Sequence, residues 1–434
     1  MFNDTGTSMP SSSVTAQKLF IVSLTASLAG FIFGFDMVVI SGADKDIQLL
    51  WNTSPWFHGF FIMSMALWGT VIGSIFGGGP TEKYGRKKIL LLVGLLFTVS
   101  ALGSSFAQDP YTFSFFRLIG GIGIGISSVA APTYISEIST PASRGKLVAM
   151  YQFNIVFGIL IAYLSNYFLS GFGGDNDWRW MLGVMTVPSI IYTIGVVFIP
   201  ESPRWLQTKG TIDKKETATA SMLLQPKYSK IMWLAFMVAF FNQWSGINFI
   251  LYYAPRILAA AGLAEQESLL NSVALGGTNL VFTFVGLYLI DRLGRKTLLL
   301  IGSFGYIISL AMVAYAFYAS ASSTFLLVFL LVFIAAHAVG QGAVIWVFIS
   351  EIFPNKVRGL GQAFGASIHW VFAALITLIA PIFIDETDGI FKENPWPIFA
   401  FFGVMMAWQL FWVLTKVPET KGVSLEELEK KLVG

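Results

Sequence analysis

Cysteine is absent from this 434-residue chain, histidine occurs only 3 times, and just 12% of residues are charged. Without cysteine there is neither a disulfide framework nor a thiolate metal site. The histidines (His58, His337 and His369) are scattered, without metal-ligand spacing. A net charge of +3 is too small to point to nucleic acid. Soluble globular chains carry roughly 25% charged residues, and disordered chains need low hydrophobicity with high net charge. Here 55% of residues are hydrophobic and 15% aromatic, with a mean hydropathy of +0.70. Too little polar surface remains to coat a soluble protein of this size. The composition is that of a polytopic helical membrane protein.

Apolar stretches of about 20 residues, enough to cross a bilayer core at ~1.5 Å per residue, recur between short polar breaks. Twelve spans are expected, near 17–41, 57–79, 88–107, 112–135, 147–169, 180–199, 232–255, 269–290, 297–319, 324–349, 360–384 and 396–416. A transmembrane β-barrel would alternate with period two over segments of about 10 residues; Lys88–Val99 and Phe325–Ala336 do not. The polar stretch 1–16 precedes an apolar run too long for a signal-peptide core, so that run is read as span 1. On this map 22 of the 27 basic residues fall on one side. Lys45, Arg179, Arg256 and Lys392 fall on the other, and Arg117 lies inside a span. The positive-inside rule then places both termini in the cytoplasm.

Three signatures occur twice. Glu82-Lys-Tyr-Gly85-Arg86-Lys87 returns as Asp291-Arg-Leu-Gly294-Arg295-Lys296. Ser136-Glu137 with Arg144-Gly145 returns as Ser350-Glu351 with Arg358-Gly359, and Pro200-Glu201-Ser as Pro418-Glu419-Thr. The offsets of 209, 214 and 218 residues are close to half the chain. One such motif is ordinary positive-inside anchoring, whereas three matched pairs imply a duplication. The expected organisation is a six-span half over 1–206, a short cytoplasmic linker over 207–231 and a second six-span half over 232–434. Parallel repeats about an axis normal to the membrane describe the major facilitator fold, an all-α architecture of twelve transmembrane helices with pseudo-twofold symmetry. Glu82, Arg86, Glu137, Arg144, Asp291, Arg295, Glu351 and Arg358 are expected to form a cytoplasmic gate, pairing when the inner mouth closes.

Within the apolar stretches, Asp36 and Arg117 are the ionised groups away from span ends. An isolated charge there costs at least ~2.5–3.5 kcal/mol, so the two are expected to pair, at one depth in the outer third. Such a pair can merely fix packing, or it can couple proton entry: burial raises a carboxyl's pKa and a nearby arginine lowers it. Midplane polar side chains are the candidate solute contacts: Gln152, Asn242, Gln243, Asn248 with Tyr252, Asn279, His337, Gln341, Trp346, His369 and Trp370. Amides suit neutral hydroxyls and aromatic planes suit sugar C–H faces. Gly120-Gly121-Ile-Gly123-Ile-Gly125 has no preceding strand and reads as close helix packing, not a phosphate loop. Ser424-Leu-Glu-Glu427 is a capping box opening a C-terminal helix.

Gly34-Phe35-Asp36, Ile40-Ser41-Gly42, Arg117-Leu-Ile-Gly120-Gly121, Pro200-Glu-Ser-Pro-Arg-Trp205, Gln243-Trp-Ser-Gly-Ile-Asn248, Asp291-Arg-Leu-Gly-Arg-Lys296 and Pro418-Glu-Thr-Lys-Gly422 together resemble the sugar porter family of the major facilitator superfamily, over about 20–430. The resemblance implies sugar contacts at Gln152, Gln243, Asn248, Asn279, Trp346 and Trp370, and proton symport through an aspartate at the place of Asp36. The chain departs from the family at Glu82 (often aspartate), Met185 (glutamate in some proton-coupled members), Asn242 (often glutamine), His369 and Ala373 (usually amides), and in its short central linker. The expected function is a plasma-membrane importer of a monosaccharide by alternating access with proton symport, acting as a monomer, with no cofactor and no enzymatic site. A facilitative sugar uniporter or a non-transporting sugar sensor are the alternatives.

Overall fold

The computed structural model describes residues 16–140, 143–208, 220–354 and 356–433. The polar stretch 1–16 and the linker centre 209–219 thus lie, almost entirely and entirely respectively, outside the described residues. Among those described there are only helices and connections, with no strand. Eleven helices are long and apolar enough to cross a membrane, and a pair bent by 42°, Pro55–Met63 with Met65–Phe76, supplies the twelfth. The remaining spans are Ala16–Trp51 (span 1), Arg86–Phe106, Pro110–Ile138, Arg144–Leu169 and Gly174–Phe198 (spans 3 to 6), and Pro226–Tyr252, Glu265–Leu293, Arg295–Tyr318, Ser323–Ile352, Arg358–Ile384 and Trp396–Lys416 (spans 7 to 12). Odd spans therefore start, and even spans end, on one face, here called the basic face because it holds the lysine and arginine clusters. The opposite face is called the far face.

The expected map differs from this one mainly at breaks and ends. Span 1 runs to Trp51 rather than stopping near 41, because Ala43–Trp51 contains no glycine or proline to end the helix. Span 7 breaks at Gly246, whose φ of +87° is a left-handed conformation, and a helix Ala254–Ala260 continues it toward the far face. Span 10 breaks at Gly340, which packs against Gly302 of span 9. After span 12, the Ser424 hydroxyl accepts the Glu427 N–H at 3.2 Å, as the capping box requires.

Packing follows the duplication. Spans 1 and 5, 2 and 4, and 3 and 4 pair closely within the first six, and spans 9 and 12, 9 and 10, and 7 and 11 within the last six. Spans 5 and 8 and spans 2 and 11 meet across the seam, each pair being the twofold image of the other. Lipid tails are as apolar as leucine, so close backbone approach must supply much of the contact energy. Glycines make it possible: a Cβ on Gly34 would strike the Ile155 carbonyl of span 5, and one on Gly121 the Ala66 carbonyl of span 2.

Gly121→Ala is therefore expected to push spans 2 and 4 apart and cost about 1–3 kcal/mol. Gly145→Ala, where an added Cβ meets nothing within 4 Å, is the control expected to leave stability level or higher. Thermal unfolding in detergent compares the two.

Candidate functional site

The membrane-embedded charges meet as the sequence implies. Asp36 and Arg117 are 0% and 1% exposed, and Arg117 Nη1 donates to Asp36 Oδ1 in a buried ion pair. Arg117 Nη2 also donates to the Asp36 carbonyl at 3.2 Å, tying span 4 to the span 1 backbone as well as its side chain. Asp36 Oδ2 and Arg117 Nε have no hydrogen-bond partner among the described residues. The pair sits mid-helix in span 1, fifteen residues before Trp51, because that helix is longer than expected. Buried Tyr252 of span 7 lies within electrostatic reach of both charges, which brings the second half of the chain to the pair.

Beneath the break in span 7, several candidate solute contacts gather. Gln243 Nε2 donates to Asn242 Oδ1 at 3.0 Å and stands 3.3 Å and 3.2 Å from the two ring nitrogens of His369 on span 11. The His369 ring centre is 5.0 Å from that of Trp346 on span 10 and 4.7 Å from that of Trp370, whose ring is in turn 5.5 Å from Phe33 on span 1. Gln243 Oε1 and Asn248 Nδ2 are buried without a partner among the described residues, leaving an acceptor and a donor five residues apart on either side of the break. Gln152 on span 5 is half-buried and Asn279 on span 8 buried. Among the described residues no hydrogen bond or ring contact joins Gln152, Asn248 or Asn279 to the Gln243–His369 cluster. His337 and Gln341 bond to neighbouring helices, Tyr306 Oη standing 2.6 Å from His337 Nδ1 and Gln341 Nε2 donating to Gln409 of span 12 at 3.0 Å, while Gln341 Oε1 is buried without a partner among the described residues.

The basic-face residues form one network built twice. Gly85 (φ +99°) and Gly294 (φ +94°) turn the chain into spans 3 and 9. Arg86 donates to Glu137 Oε2 through Nε at 3.0 Å and to Glu137 Oε1 through Nη2 at 2.8 Å, and to Glu82 at 2.7 Å. Arg295 repeats this on Glu351 at 3.1 and 2.7 Å and on Asp291 at 3.3 Å. Glu201 accepts the Arg86 and Lys87 N–H groups at 3.0 and 3.1 Å; Glu419 accepts those of Arg295 and Lys296 at 2.9 and 3.0 Å. Ser202 and Thr420 hydroxyls donate to Glu137 and Glu351. Arg144 and Arg358 lie outside the carboxylate pairing, donating through Nε to the Ser136 and Phe353 carbonyls at 3.2 Å each. These contacts all lie within one set of six spans, so in this structure the expected gate pairs do not bridge the seam.

The acidic caps Glu201 and Glu419 were absent from the expected site, although their motifs were legible as repeats. Each carboxylate satisfies orphan N–H groups at a span's first turn and meets the positive end of its dipole. Sequence reasoning also missed a far-face cluster around Asp44, His58, Arg256 and Asp385. Ending span 1 near 41 put Asp44 in a loop. The available signal was the spacing of Asp36 and Asp44, two helical turns apart on one face.

Known proteins match this chain along nearly its whole length. The model of the family described as "Sugar (and other) transporter" matches residues 22–225 and 211–432. The arabinose-proton symporter of Bacillus subtilis is 34% identical over 443 residues, covering 94% of each chain. The D-xylose-proton symporter of Escherichia coli is 31% identical over 475 residues, covering 95% of each. Among solved structures, the xylose transporter XylE from E. coli in a partially occluded inward-open conformation superposes with a TM-score of 0.82 at 30% identity, covering 94% of this chain and 100% of that one.

Glu201→Ala and Glu419→Ala are each expected to cost about 1 kcal/mol by uncapping spans 3 and 9. Thermal unfolding in detergent should show both shifts, and the double variant should show their sum. The duplicated anchors, the buried Asp36–Arg117 pair and these matches lead to one conclusion: the chain belongs to the Sugar (and other) transporter family.

Proposed function

We propose that this protein is a multi-pass plasma-membrane symporter that imports a monosaccharide together with protons by alternating access. The observation that carries the reading is the buried Asp36–Arg117 pair with one unpartnered atom on each side. While Arg117 holds the carboxylate, the pair is neutral as a unit and tolerable in a low-dielectric interior. Protonation of Asp36 dissolves the ion pair and frees Arg117, so spans 1 and 4 lose the bond that fixes them. A proton entering down the membrane potential contributes ~2.3 kcal/mol per 100 mV, enough to concentrate a neutral solute. The names of the arabinose- and xylose-proton symporter relatives agree with this reading.

The sugar site proposed is Gln152, Asn242, Gln243, Asn248, Tyr252, Asn279, Trp346, His369 and Trp370. Unpartnered Gln243 Oε1 accepts a sugar hydroxyl proton and Asn248 Nδ2 donates to a second oxygen. The ligand thereby completes bonds that the empty protein leaves unmade, and an analogue lacking that hydroxyl forfeits them. Trp346 and Trp370 offer ring faces to the sugar's C–H surface. No further buried charge faces this cluster among the described residues, which suits a neutral solute.

Both termini lie in the cytoplasm, a reading that the basic-face lysine and arginine clusters support through the positive-inside rule. Residues 1–206 and 232–434 act as two bodies, the 207–231 linker joins them, and one copy of the chain suffices. Among the described residues the carboxylate–arginine networks of the basic face each stay within one half, which supports an inward-facing state. When that mouth closes, the gate residues Glu82, Arg86, Glu137, Arg144, Asp291, Arg295, Glu351 and Arg358 exchange partners across the seam.

Uptake of radiolabelled pentoses and hexoses into proteoliposomes, with and without an inward proton gradient, tests this function. Gradient-driven accumulation is expected for the parent, and Asp36→Asn should reduce it to equilibration while sugar counterflow persists. Accumulation unchanged in Asp36→Asn overturns the coupling role. Gln243→Ala is expected to weaken sugar binding about tenfold, the loss of about one hydrogen bond.

A further inference from the structure

Where the basic-face networks stay within each half, a second set of buried charges crosses the seam at the far face. Arg256, on the helix that continues span 7, is 9% exposed and lies among three side chains. Its Nε is 2.8 Å from Oδ2 of Asp44 on span 1, its Nη1 is 3.6 Å from Oδ2 of Asp385 at the end of span 11, and its Nη2 donates to Gln48 Oε1 at 2.8 Å. Gln48 closes the ring by donating to Asp385 Oδ2 at 2.6 Å. Behind Asp44, fully buried His58 of span 2 places Nε2 2.7 Å from Asp44 Oδ1, and its Nδ1 is 3.0 Å from the Thr53 hydroxyl. Span 1 and the end of span 11 thus converge on one guanidinium carried by the span 7 extension, with span 2 behind Asp44.

We propose that Arg256, clamped between Asp44 and Asp385 and seated by Gln48 and His58, is the latch that holds the far-face mouth shut, and that every transport cycle must break it. The proposal rests on the alternating-access reading above.

Three observations support it. First, the cluster is built for charge. Burial alone would raise the Asp385 carboxyl, but the Asp388 and Thr387 N–H groups, the Thr387 hydroxyl and Gln48 hold it down at about 2, so it stays ionised. Both Asp44 oxygens have a close neighbour, His58 Nε2 at 2.7 Å and Arg256 Nε at 2.8 Å, the latter as an ion pair without hydrogen-bond geometry. Secondly, three links cross between the halves, Asp44 to Arg256, Arg256 to Gln48 and Gln48 to Asp385, while Arg256–Asp385 and Asp44–His58 each stay within one half. Separating the halves at this face therefore takes Asp44 and Gln48 away from Arg256, leaves it Asp385 of its own half, and exposes the parted groups to water, which offsets their loss. Thirdly, Asp36 and Asp44 lie two turns apart on one helix, about 12 Å along its axis. Movement of span 1 that opens a path to the buried proton site must also pull Asp44 off Arg256. The exposed Lys45–Glu386 pair, 2.9 Å apart at the rim with both side chains over half exposed, crosses the same seam and is screened by water.

The absence of native cysteine provides a clean assay. Ser41→Cys, one turn below Asp44, and Thr377→Cys on span 11 are buried reporters on opposite sides of the seam; Ser100→Cys lies inside the first six spans as a fold control. A membrane-impermeant thiol reagent is applied from the far face to the full-length protein in proteoliposomes. Both seam cysteines are expected to be protected in the parent and labelled several-fold faster in Arg256→Gln and in Asp44→Asn. Arg256→Lys should restore much of the protection, Gln48→Ala should give an intermediate rate, and Lys45→Ala should match the parent. Protection unchanged in Arg256→Gln overturns the latch, as does equal exposure from Lys45→Ala. If Ser100→Cys is also labelled in Arg256→Gln, that variant has unfolded and the Arg256→Lys and Gln48→Ala rates decide between the same two outcomes. Labelling needs neither sugar nor a proton gradient, so the latch can fail while uptake stands, and uptake can fail while the latch stands.

Discussion

An ion in hydrocarbon must carry its counter-ion with it. The cost of leaving one unpaired is several kcal/mol, comparable with much of a domain's net stability. In this protein that constraint organises the structure at three levels of depth. Asp36 and Arg117 pair in the interior, Asp44, Arg256 and Asp385 pair at the far face, and Arg86–Glu137 and Arg295–Glu351 pair at the basic face. In each case the partners come from different helices. The requirement for neutrality is thereby also a requirement that particular helices stay together. A change in protonation or water access at one pair changes which helices are held.

The two faces use the same chemistry to opposite ends. At the basic face Arg86 and Arg295 each find their carboxylates in their own half, and Glu201 and Glu419 pin the first turns of spans 3 and 9 by accepting backbone N–H groups. Those bonds stiffen each half, and none of them runs between the halves. At the far face Asp44–Arg256, Arg256–Gln48 and Gln48–Asp385 run between halves. The duplication explains the first arrangement, since a network encoded once was copied with its geometry. It does not explain the second: no arginine stands 209 to 218 positions before Arg256, where the first half would carry its copy.

Much of the architecture was legible before any coordinates. Span number, facing of the basic residues and the twofold repeat follow from runs of apolar residues and from motifs at fixed offsets. The Asp36–Arg117 pairing followed from depth, since two charges at one level of a membrane have few other partners. Less legible was the end of span 1. Hydropathy falls off after 41 while the helix continues to Trp51, because hydropathy senses lipid and helix propensity does not. The same blindness hid Asp44 and left His58 looking like an isolated residue. His337 and Gln341 show a different ambiguity. A polar side chain in an apolar span looks alike whether it faces solute or a neighbouring helix, and here both bond to spans 9 and 12.

The sequence alone determined that the chain crosses a membrane twelve times, that its halves are copies, and that one carboxylate and one guanidinium must meet inside. These follow from transfer energies and spacing, which are local properties of the chain. Tertiary structure decided which face the halves share: carboxylate pairs within each half at the basic face, and a guanidinium bridging the halves at the far one. It also joined Gln243 to His369, 126 residues away. Partner choice among charges far apart in sequence depends on how helices pack, and packing rests on close contacts such as Gly34 against Ile155 that no single residue encodes.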